Sequence, residues 1–271
     1  MSVARQFREL HELERLEWRV LGALRPVDGT TGIALRGRLE ASAVGARIAR
    51  NRSGLYVIHE WSRLPTHAAA FEAPPALPLP GSEQLAITLR DPSGRYLPRL
   101  ATLALPRDPQ AVGSDSLFTA VDIPLYPSAA AGLGINWTAV RASITDNADG
   151  AALGGALLRV VVGSAVLARG MSDWRGEALV PVVGVPVTTW SEDEDAVVVS
   201  SIAASVEVYF DPARGTRTPI VDVRAGRQPA ATPLVDPADI ETRRAALATM
   251  QQNVSLAARG ALNLNLGLDL P

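Results

Sequence analysis

The sequence predicts a mainly β protein: two tandem antiparallel β-sandwich domains, short N- and C-terminal helices, and a C-terminal strand of alternating leucines. From Trp18 onward, short runs rich in Val, Ile, Leu and Tyr are separated by Asp, Asn, Gly and Pro, as in "IALRGRLEA" and "LYVIHEW". The 20 prolines fall mostly between those runs, where a missing N–H does least harm to a ladder. The final residues, "ALNLNLGLDLP", repeat with a period of two, which is the period of a strand.

Each element follows in order. Residues 1–17 read as an amphipathic helix, with Ser2 as cap and Val3, Phe7, Leu10, Leu13 and Leu16 close to one stripe. Residues 18–112 form the first β-sandwich domain, ending at the polar hinge "RDPQAVGSDS". Residues 113–215 form the second, opening on "LFTAVDIPLYPS" and closing with "AASVEVYFDP". Residues 216–271 are an extension made of a connector, a helix and the terminal strand. Asp236 and Pro237 give that helix an N-cap and first residue, and Ile240, Leu247, Met250 and Val254 give it an apolar side until about Gly260. In the last strand, Leu262, Leu264, Leu266, Leu268 and Leu270 share one face. That face completes either the chain's own sheet or a neighbour's.

A local grammar of Asp or Asn, two residues and Gly recurs at Asn51–Gly54, Asp91–Gly94 and Asp173–Gly176, each time before a strand. The side-chain oxygen accepts a backbone N–H two residues on, and the glycine takes a positive φ. Asp173 is therefore expected to hold a turn rather than to move protons.

Composition excludes several chemistries. With no cysteine there are no disulfides, thiolate nucleophiles or Cys-ligated metals. With no lysine, all 26 basic residues being Arg, Schiff-base and P-loop chemistry is absent. A net charge of −2 gives no reason to expect nucleic acid as a partner. The charged N-terminus has no apolar signal region, and no run suits a membrane span, so the chain is expected to be made in the cytoplasm without membrane insertion. Its place is then in a cytoplasmic or lysis-released particle.

The stretch "VRASITDNADGAALGGALLRVVVGSAVLARGMSDWRGEALVPVVG" resembles the carboxypeptidase regulatory-like (transthyretin-like) β-sandwich module. The matching positions are Asp146 to Gly150, Gly155–Ala156, and Ser172–Asp173 with Gly176. Two departures stand out: the first turn is one residue longer, and Ala178 and Leu179 replace the usual aromatic. The resemblance implies a seven-stranded accessory module without catalytic residues of its own. More loosely, the chain is similar to uncharacterised bacterial proteins found beside the sheath and cap components of phage-tail-like contractile injection systems.

Candidate sites are few. No nucleophile–base set, H-E-x-x-H, P-loop or G-x-G-x-x-G is present, so no catalytic, cofactor or metal residues are expected. The sequence places no third group beside His59 and Glu60 to complete a site, and "DNADG" lacks the downstream glutamate of a calcium loop. Partner binding is instead expected at an acidic loop, with Trp190, Glu192, Asp193, Glu194 and Asp195, and at the leucine strand 262–270. The expected function is a non-enzymatic structural subunit of a multiprotein assembly, with partners such as tail sheath, tube or cap proteins or further copies of itself. The alternative is an adhesin-like or carbohydrate-binding sandwich whose contacts lie around Trp61 or Trp190.

Overall fold

The Asx-type turns form, with Asp91 and Asp173 accepting an N–H two residues on as expected and Asn51 accepting from Leu55 four residues on. Gly54, Gly94 and Gly176 take φ of 84°, 69° and 73°, and each donates its N–H to the carbonyl of the Asn or Asp three residues back. Asp173 Oδ1 accepts from the backbone N–H groups of Arg175 (2.8 Å) and Glu177 (3.1 Å), so the carboxylate holds the turn. A computed structural model describes residues 20–69, 75–134, 137–185 and 201–271. The helix expected over 1–17 and the acidic loop with Trp190 and Glu192 to Asp195 lie outside the described residues.

The first half contains strands β1 (Gly22–Asp28), β2 (Glu40–Ser42), β3 (Ala46–Arg50) and β4 (Tyr56–Trp61), then the one-turn helix α1 (Pro65–Ala69). It continues with β5 (Glu83–Arg90), β6 (Arg99–Leu105) and β7 (Val121–Leu125). The second half contains β8 (Thr138–Asp146), β9 (Ala152–Gly154), β10 (Leu157–Val162), β11 (Ala165–Met171), β12 (Glu177–Val182) and β13 (Ser201–Phe210). After β14 (Thr216–Thr218) come the helices α2 (Ile220–Arg224) and α3 (Pro237–Arg243), and finally β15 (Ala248–Ala257) and β16 (Ala261–Leu268). The protein is mainly β, with several sheets and, among the described residues, only short helices. Among the described residues no helix is long and apolar enough to cross a membrane.

Among the described residues four sheets surround two principal cores. Sheets β3-β4-β1-β7 and β2-β5-β6 place Leu24, Ile58, Ile87, Leu89, Leu105 and Leu125 in the first, all without exposed surface. Sheet β11-β10-β13-β15 and the sheet β12-β8-β9-β14, with β16 added beside β8, share the second. There Val140 and Ile144 of β8 and Leu266 and Leu268 of β16 meet Leu158 of β10 and Val206 and Phe210 of β13. Each such side chain contributes about 1.5–3 kcal/mol by leaving water.

Three expectations are corrected. The sheets are not purely antiparallel: β1 pairs β7 in parallel and β8 pairs β16 in parallel, each after a long crossover that turn punctuation cannot reveal. β7, read from sequence as the start of the second half, pairs β1 and sends Ile123 and Leu125 into the first core. The C-terminal helix has the expected cap, Asp236 accepting from Ala238 N–H at 3.1 Å with Pro237 next, but it ends at Arg243. Leu247 follows it, and Met250 and Val254 belong to β15. Thr249, Asn253, Val254 and Ser255 are weak helix formers, and the open edge of β13 offers this segment ten ladder positions, so tertiary pairing wins.

Candidate interaction surface

A strand at a sheet edge exposes unpaired N–H and C=O groups, and proteins guard such edges with charge, proline, bulges or brevity. Most edges here are guarded. β2 and β14 have three residues each and carry Glu40 and Arg217. β3 carries Arg47 and Arg50, and its ladder to β4 is broken by a bulge at His59. β7 carries Asp122 and Pro124, and β12 carries Glu177 and Pro181. β11 carries Arg169 and a bulge at Leu167, and β6 is covered by Val235 and Asp236, which accept from the N–H groups of Leu100 and Thr102.

β15 and β16 are the exceptions. Their sequences, ATMQQNVSLA and ALNLNLGL, contain no charged residue and no proline, in a chain of which 20% is charged. β15 pairs β13 over ten positions and β16 pairs β8 over eight, both without a register shift. Among the described residues neither has a strand on its other side. Only Ala258, Arg259 and Gly260 separate them, so the chain steps from the edge of one sheet to the edge of the sheet packed against it. The two bare edges therefore flank one side of the second core. Arg259, at φ 58°, is the only non-glycine with positive φ among the described residues, which lets the step be this short.

The predicted leucines divide by depth. Leu264, Leu266 and Leu268 are buried in the chain's own second core, while Leu262 and Leu270 pack against it half-buried. Within this chain the alternating strand thus fills its own sheet, and no described strand pairs with its outer edge. Asn263 and Asn265 point the other way, level with Arg141 and Ser143 of β8. Together with Glu177 they line a shallow polar depression of about 270 Å³.

A second polar cluster lies between the two halves, where a cleft of about 360 Å³ is lined by Arg99, Asp122, Tyr126, Arg169, Asp236 and Glu241, among others. Arg99 donates to Asp236 at 2.9 Å and to the Pro124 carbonyl at 2.6 Å, with both ionic side chains under a tenth exposed. Asp236 also accepts from Thr102 N–H at 2.9 Å, so the residue that caps α3 ties it to β6. Arg169 meets Glu241 through two hydrogen bonds, at 2.8 and 3.0 Å. Burial opposes the Glu241 charge, but Arg169 and, at longer range, Arg159 and Arg244 hold its pKa below the ordinary value. Burial raises Tyr126. Asp122 is paired with Arg25. Every charged group lining this cleft has an opposite partner, and the lining contains no His, Ser or Cys. The arrangement is that of a joint, and only the Asp236–Pro237 cap signal in the sequence pointed toward it.

The remaining candidates resolve as structure. Glu60 is held by Arg47 at 3.0 Å, and burial together with Arg47 lowers the pKa of His59. In "DNADG", Asp146 and Asp149 accept from the N–H groups of Ala148 and Ala151, and Arg217 bridges both carboxylates. Trp61 is 5% exposed in the first core, so it offers no face to a glycan. Among the described residues no group of three or more His, Cys, Asp or Glu is placed to hold a metal.

No model of a known protein family matches the chain, and no curated protein matches it in sequence.

Proposed function

We propose that the protein is a structural subunit of a multiprotein assembly that docks neighbours along the open edges of β15 and β16. The observation that carries this reading is the contrast among edges: among the described residues seven are charged or covered, and the two beside each other are neither. An exposed uncharged edge invites aggregation unless another chain covers it. Main-chain pairing along an edge gives affinity, and alternate side chains give register. The finer reading is of tandem sandwich domains, the second carboxypeptidase regulatory-like. Two cores each shared by two sheets, and a turn built on Asp173 and Gly176, agree with it. The assembly class that the wider resemblance implies is a phage-tail-like contractile injection particle, with this chain as a cap, sheath-associated or baseplate component.

The test is to tag the chain in its own cells, separate the lysate by size and image the fractions by negative stain. Migration with particle-sized material, lost when Asn265→Lys places charge on the β16 strand, supports the reading. Migration only at the mass of the chain or a small oligomer of it removes the reading. A second reading, carbohydrate binding, has the polar depression around Asn263 and Asn265 in its favour. Glycan-array binding abolished by Asn263→Ala would favour it over the first.

A further inference from the structure

The geometry points to a second copy of this chain as the occupant of the β15 edge, paired antiparallel about a two-fold axis at Gln252. This deepens the assembly reading and rests on it. Three features of β15 single out a copy of itself. The first is charge. A strand that pairs with its own copy sets any charge on it near the same charge, and Ala248–Ala257 has none to repel. The second is register. A two-fold perpendicular to the sheet keeps each face on its own side, so residues of like parity meet. With the axis at Gln252, the outer face sets Gln251 against Asn253 of the second copy and Thr249 against Ser255. The inner face sets Met250 against Val254 and Ala248 against Leu256. Polar side chains meet polar ones on the solvent face, and on the core face apolar pairs flank a single Gln252–Gln252 pair at the axis.

The third is unfinished burial. Met250 and Val254 pack against the second core but remain half-buried, and Gln252, on the same inner row opposite the fully buried Val206, is exposed. A second copy alongside continues the sheet and covers that row. β16 differs on this point: Leu264, Leu266 and Leu268 are already buried within one chain. β15, by contrast, gains core by pairing with itself.

The absence of cysteine makes the register testable in the full-length chain. Across the proposed axis the two Gln252 Cα atoms lie about 4.5–5.5 Å apart, inside the range of about 4.4–6.8 Å that a disulfide spans. Gln252→Cys should form a covalent dimer under mild oxidation. Thr249→Cys, whose two copies would be about 20 Å apart, should not. Light scattering of the unmodified chain should give twice 28.6 kDa. Gln252→Lys, at an exposed position, should weaken self-association about tenfold or more while leaving the circular dichroism spectrum unchanged. A chain monomeric at every soluble concentration overturns the inference. So does a dimer that ignores Gln252→Lys, or equal cross-linking at both cysteines. A monomer that still enters a large particle overturns this inference alone, whereas a dimer that enters none removes only the wider assembly reading.

Discussion

β3 and β15 are both edge strands on half-buried sheets, yet they are built in opposite ways. β3 is five residues long, carries Arg47 and Arg50, and its ladder is broken at His59. β15 is twice as long, unbroken and without charge. An edge like β3 is written to stay single, because a partner strand would have to desolvate two guanidinium groups and follow a bulge. An edge like β15 has no such deterrent. The same contrast separates the joint between the halves, where every charge is matched, from the bare side of the second core. Charge pairs with charge at the joint and stands on the open edge of β3, and it is absent from β15.

The largest expected effect comes from the joint. Asp236→Ala removes the partner of a buried guanidinium, the Thr102 contact and the α3 cap, and should cost about 3–5 kcal/mol in urea unfolding. Self-association should be unchanged if joint and edge are independent. Leu266→Ala should cost about 2–5 kcal/mol, because Leu266 is fully buried. No loss of stability there would mean that β16 does not belong to its own chain's core.

Gly176→Ala should cost roughly 1–3 kcal/mol, since φ is 73° and a Cβ would come 2.3 Å from the Ile144 carbonyl oxygen. Gly94→Ala, at a similar φ but in open space, should cost less by thermal unfolding, separating backbone strain from collision. The response to pH is gentler. The folded pKa of Glu241 lies below its ordinary value, so its contribution is present above the unfolded pKa and is lost as pH falls through the folded one. Urea midpoints should therefore fall on acidification below about pH 4, and Glu241→Gln should flatten that fall. The smallest effect is a contrast with the joint: self-association through β15 should hardly change between low and moderate salt, because no ion pair is involved. A steep salt dependence by light scattering would place the contact elsewhere.

The sequence by itself determined the β class, the Asx turns and the Asp236–Pro237 cap, because each depends on residues within a few positions of one another. Asp173 with Gly176 sets a turn whatever surrounds it, and alternating leucines set a strand with one apolar face. Tertiary structure decided what depends on distant partners. "ALATMQQNVSLA" satisfies both a helical stripe and a period of two, and the unfilled edge of β13 selected the strand. The pairing of β1 with β7 and of β8 with β16 needed long crossovers, and Arg99 with Asp236 meet only once both halves are folded. The leucine strand showed in sequence that a face must be buried, but not against what. Its sheet supplied the answer, because three of its leucines fit a core already lined by β8, β10 and β13.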